Sequence, residues 1–180
     1  MLGKRNGVAA MLRAVVPHLM VQRCVAHRED LGIDDAWKHV ALMKDIEMLR
    51  RTVYTTFCRS TVKKSDFAEM CDIANHDAIS FRPLNEVRWM SRHFAVKALV
   101  RNYNMLIEYY QKQVDEDRDP IAKFCVKKLK DPQVHVAVLV LNDVLTELSE
   151  LCCSFQHSCI TTIEAVQLAK AKINKLHSQY

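Results

Sequence analysis

Leu19-Met20-Val21-Gln22-Arg23-Cys24-Val25-Ala26-His27-Arg28 is the one stretch of this chain that reads as a β-strand. It is apolar and rich in branched residues, it follows Pro17, and it closes in a Cys-x-x-His pair before charge takes over. A lone strand cannot satisfy its own backbone donors and acceptors. The expectation is that the strand pairs with something outside this chain, or that the chain is a piece of a larger domain, the remainder being helical.

Glycine supports the helical reading of the remainder. The chain has three, Gly3, Gly7 and Gly32, so beyond residue 32 tight turns needing positive φ are scarce and hairpins are not expected. With 180 residues, 49% hydrophobic and 26% charged, the composition is that of a globular domain. The net charge of +5 is compatible with a nucleic-acid partner without requiring one. Seven cysteines form no C-x-x-C pair, and Met1 to Gly7 lack a secretory apolar run, so free thiols in a reducing compartment are expected, not secretion. The longest apolar run, Val136 to Leu141, is far too short for a bilayer, and no membrane role is expected.

Working outward from the strand, Val8, Met11, Leu12 and Val15 predict a short amphipathic helix stopped by Pro17. Asp34 or Asp35 is expected to cap a long helix with the stripe Val40, Met43, Ile46, Leu49, Val53 and Phe57. Its outer face would carry Lys44, Arg50, Arg51, Arg59, Lys63 and Lys64, a surface that could meet phosphates or simply be solvated. A short helix over 67–74 is expected to start at Ser65 and Asp66. A longer one is expected from about Asn85 to Gln113. Asp119-Pro120 and Asp131-Pro132 are strong start signals, each a capping carboxylate followed by a proline where no donor is needed. The last helix, about Ser158 to Ser178, shows Ile163, Val166, Ile173 and Leu176.

Few residues suggest chemistry. Cys24 and His27 have a spacing that suits two zinc ligands, but no further pair is near, and a buried thiol with a hydrogen-bonded histidine is the plainer reading. In Cys152-Cys153-Ser154-Phe155-Gln156-His157-Ser158-Cys159, adjacent cysteines on a helix point about 100 degrees apart, so core packing is favoured over a shared ion. Cys153 and His157 could pair as nucleophile and base, but no glycine-rich turn supplies an oxyanion hole. Arg88-Trp89 with Arg92 joins a stacking surface to phosphate-binding charge, set against an ordinary core tryptophan with solvated arginines.

Three pieces, Met1-Leu2-Gly3-Lys4-Arg5-Asn6-Gly7-Val8-Ala9, Cys24-Val25-Ala26-His27-Arg28 and Val87-Arg88-Trp89-Met90-Ser91-Arg92, resemble in order and spacing the hAT-superfamily DNA transposases and the host proteins derived from them. The helical tail, with Leu148-Ser149-Glu150-Leu151 and Phe155-Gln156, is similar to that family's insertion domain. The resemblance implies a mainly α chain, a helical bundle with one or few short strands left from a truncated ribonuclease-H-like α/β core. Residues 1–83 would be the partial core and 84–180 the insertion-domain-like region. It implies that Cys24 and His27 are relics of the family's C-x-x-H motif beside its active site. It also implies that Arg88 and Trp89 match the Arg-Trp whose tryptophan stacks on a flipped base. The usual Cys-Asp opening of that motif is Leu84-Asn85 here. The family's metal-binding carboxylates would fall outside this chain, two upstream and one beyond Tyr180, so no enzyme activity, metal, cofactor or small-molecule substrate is expected, and the location would be nuclear by this resemblance, otherwise cytoplasmic. Two functions remain open. One is residual nucleic-acid binding through Arg88, Trp89, Arg92, Arg50 and Arg51; the other is a helical module for protein interaction or self-association.

Overall fold

The computed structural model describes residues 7–19, 31–32, 35–81, 90–156 and 160–179. The chain is mainly α, a helical bundle, and no strand occurs among the described residues. The expected strand, apart from Leu19, lies outside them.

Among the described residues, eight helices of eight residues or more follow one another: α1 (Val8–Val15), α2 (Ala41–Arg59), α3 (Thr61–Ile73), α4 (Met90–Arg101), α5 (Tyr103–Asp117), α6 (Pro120–Leu129), α7 (Pro132–Phe155) and α8 (Thr162–Gln179). Helix α2 is the hub, touching α3, α4, α6 and α7, while α5 packs on α6 and α4 on α7. One core cluster runs through all six, from Ile46, Leu49 and Val53 across Leu99, Leu106 and Leu129 to Val138 and Leu145. Helix α1 buries none of its residues.

The two Asp-Pro pairs start helices as read. Asp119 accepts the Ile121 N–H at 2.8 Å and Asp131 the Gln133 N–H at 2.9 Å, with proline at the first helical position of each. Other boundaries differ from expectation. The helix beginning near Asp35 is interrupted at Val40, and α3 starts at Thr61 because Ser60, in an extended conformation, accepts the Lys63 N–H and turns the chain. The long helix around residue 100 breaks at Asn102, whose side chain is recruited elsewhere.

Where glycine is missing, other residues adopt left-handed backbone. Asn75 (φ 49°) closes α3 in a Schellman arrangement: its N–H reaches Asp72 O and the His76 N–H reaches Cys71 O. Arg118 (φ 54°) ends α5, its N–H donating to Val114 O.

Helix α8 shows the largest departure. Most of its expected apolar stripe faces outward, with Ile163 72% and Ile173 54% exposed, while Leu176 is half-buried and Ala165 is its buried residue. Thr161 and Glu164 form a capping box at its start, Glu164 accepting the Thr161 N–H and Thr161 Oγ1 accepting the Glu164 N–H.

Candidate functional site: an arginine cluster and an aromatic-floored cavity

Cys24, His27, Arg88 and Trp89 lie outside the described residues, as do His157 and Cys159. The other three candidates, Arg50, Arg51 and Arg92, come together although they are drawn from two helices. Arg50 differs from the outward placement expected of it and is only 5% exposed. It stands one turn past Ile46 and beside Leu49 and Val53, so the turn of the helix carries it inward with the stripe. Its Nη2 donates to Glu47 Oε1 at 2.8 Å and its Nε to Oε2 at 3.3 Å, while Arg51 Nε donates to Oε1 at 2.7 Å. Burial would raise the Glu47 carboxyl, but the hydrogen bonds from both arginines outweigh it and hold the group below its ordinary value. Burial lowers the affinity of Arg50 for its proton; Glu47 opposes that, and the nearby charges of Arg51 and Arg92 add to it. Arg92 lies with its guanidinium carbon 5.2 Å from the centre of the Trp37 ring, a cation–π contact.

On the other side of Tyr54 and Phe81 a cavity of about 760 Å³ opens between the end of α2, one face of α3 and the segment 75–81. Helix α3 contributes Thr61, Lys64, Phe67, Ala68 and Cys71, three or four residues apart and therefore on one face. The floor is aromatic. Phe57 stacks on Phe81 at 5.1 Å and meets Phe67 at 4.8 Å and Tyr109 at 5.2 Å. Lys64, Asp72, Asn75 and Asp77 supply the polar lining.

The outer wall is held by the helix junction behind it. The buried Asn102 donates from Nδ2 to Ile79 O at 2.8 Å and accepts the Ile79 N–H on Oδ1 at 3.2 Å, so one amide pairs with both polar groups of that backbone residue. His76 Nε2 lies 3.3 Å from the same Oδ1, and Arg101 Nε donates to Asp77 O at 3.2 Å. This is why Asn102 interrupts the long helix.

Of the two cysteines in the cavity, Cys58 is exposed and donates its thiol to the Tyr54 hydroxyl at 3.1 Å, whereas Cys71 is buried. Burial, and then Asp72, push the Cys71 thiol up, leaving it protonated at neutral pH and a weak nucleophile. Further along, Cys152 is buried and Cys153 exposed, facing different ways as adjacent helical residues must. Among the described residues no group of three or more histidine, cysteine or acidic side chains could hold a metal ion, and no helix is long and apolar enough to cross a membrane.

The sequence reading did not find the cavity. Its phenylalanines stand on α2, on α3 and in the segment between the helices expected at 67–74 and 85–113, and the Asn102 bridge, more than twenty residues away, together with the Arg101–Asp77 bond and the Phe57–Phe81 stack, holds that segment alongside. Comparison with known protein families finds no match, and no solved structure matches the chain. The likeness to hAT transposases therefore rests on the sequence motifs.

Proposed function

We propose that this chain is a helical interaction module of hAT-transposase descent, acting by binding rather than by catalysis, whose contact point is the cavity between α2, α3 and residues 75–81. The observation that carries this reading is the cavity itself: about 760 Å³, aromatic at its base and charged at its lip. That size and lining suit one or two apolar side chains of a partner protein, the kind of anchor that supplies most of the energy of a small interface.

The test uses Ala68→Trp, a change at an exposed position that fills the cavity without disturbing the core. Peptides selected from a random library on the wild-type chain should share an aromatic or branched apolar anchor and lose at least about tenfold in affinity for the variant. Equal binding to both proteins, or the absence of any shared anchor, would sink the idea.

The pairing of Arg50 and Arg51 with Glu47, and the approach of Arg92, seated over Trp37, to Arg50, favour a second reading, weak nucleic-acid binding that includes Arg88 and Trp89. Binding of a labelled single strand should then fall steeply with salt and weaken in Trp89→Ala and in Arg51→Ala. Salt-insensitive binding removes this reading and leaves the first intact.

A further inference from the structure

Helix α8 is attached differently from the six helices that share the core cluster. None of its side chains belongs to the core cluster or packs against it. Its buried residue is Ala165, and Leu151 on α7 is likewise buried outside that cluster. Beside Ala165 and the half-buried Leu176, what holds it is a set of ion pairs to α7. Glu147 of α7, its side chain only 9% exposed, accepts from Lys172 Nζ at 2.6 Å and also from Lys175, while Lys172 reaches Glu150 as well. Meanwhile Ile163, Val166 and Ile173, the residues that would normally dock an amphipathic helix, are turned to solvent.

We propose that α8 is a charge-latched arm: the Glu147–Lys172–Lys175 cluster, with Glu150, is the switch that sets whether the helix lies on α7 or swings free while the rest of the bundle stays folded. Two consequences of the geometry support this. The Glu147 side chain is largely enclosed, so neutralising Lys172 and Lys175 leaves its carboxylate without a cationic partner, while removing its charge leaves Lys172 held by Glu150 alone and Lys175 to solvent. And because α8 shares no core with the bundle, its release costs the bundle none of its main packing. Loss of charge on Lys172 and Lys175, whether by screening or by a modification that neutralises an amine, would act through the same contacts.

Amide hydrogen exchange of the intact chain, read by mass spectrometry peptide by peptide, tests the latch. Glu147→Gln should speed exchange across 162–179 by at least about tenfold while 103–145 keeps its protection. Lys172→Gln combined with Lys175→Gln should do the same. In the wild type, raising salt from about 0.05 M to about 1 M should reproduce part of the effect. The proposal is overturned if Glu147→Gln leaves 162–179 as protected as before while Leu151→Ala releases it, because packing would then hold the helix. It is equally overturned if exchange rises uniformly along the chain.

Discussion

Arg50 enters the interior beside Ile46, Leu49 and Val53, and what it meets there is the carboxylate of Glu47. A guanidinium cannot lose its proton to relieve its burial, so the pair must be judged by what removal of one partner does. Glu47→Gln should destabilise the protein by about 3 kcal/mol, because Arg50 stays charged and enclosed. Urea unfolding checks the figure. Arg118 shows the opposite opportunity. It holds a left-handed conformation whose penalty for a residue with a Cβ is about 1–2 kcal/mol, partly offset in glycine by a more flexible unfolded chain. Arg118→Gly should therefore raise the urea midpoint, corresponding to a gain of about 0.5–1 kcal/mol. Asn75 needs the same backbone but suits it better, since asparagine tolerates that region.

At the scale of the element, what was readable in advance was whatever is decided within one turn. Asp119-Pro120 and Asp131-Pro132 announce α6 and α7 because cap and first helical residue are neighbours in sequence; Asp119→Ala or Asp131→Ala should each cost about 1 kcal/mol in the same urea assay. The Thr161–Glu164 capping box was equally local and could have been found. Asn102 could not, since its partner is the backbone of Ile79 and nothing nearby in sequence names that partner. The last helix was misjudged for a different reason. Periodicity identifies an apolar face on α8 but not whether a neighbour covers it, and here the side that docks carries Ala165, Lys172 and, of the expected stripe, Leu176. Its attachment should respond to acid. The hydrogen bonds from Lys172 and Lys175 lead the causes that hold the Glu147 carboxyl below its ordinary 4.5. A depressed folded value means the contribution is complete above pH 4.5 and fades as pH falls through the lowered one. Pepsin digestion at successively lower pH should then clip within 162–179 before it cuts elsewhere.

Over the whole molecule, apolar residues divide between one enclosed core and exposed positions such as the open side of α8. Leu106 is fully enclosed where α5 joins the cluster, and Leu106→Ala should cost about 2–5 kcal/mol and lower the melting temperature of all the packed helices together. Ile173→Ser, on the open side of α8, should stay within about 0.5 kcal/mol of wild type by the same measurement. The class of the fold was legible because glycine scarcity and helical periodicity act along the entire chain, while the cavity and the latch depend on pairings between distant segments. The two Asp-Pro junctions also have a covalent side. In warm dilute acid an aspartyl carboxyl attacks its own carbonyl carbon and expels the weakly held proline nitrogen, making such bonds the first in a polypeptide to hydrolyse. In the folded chain both carboxylates are turned to amide donors, so scission waits for unfolding. Once it comes, the products are 1–119, 120–131 and 132–180, and the excised middle piece is α6, the helix on which α5 rests. The junctions that start these helices are also where the chain comes apart for good, and the masses of three fragments would record it.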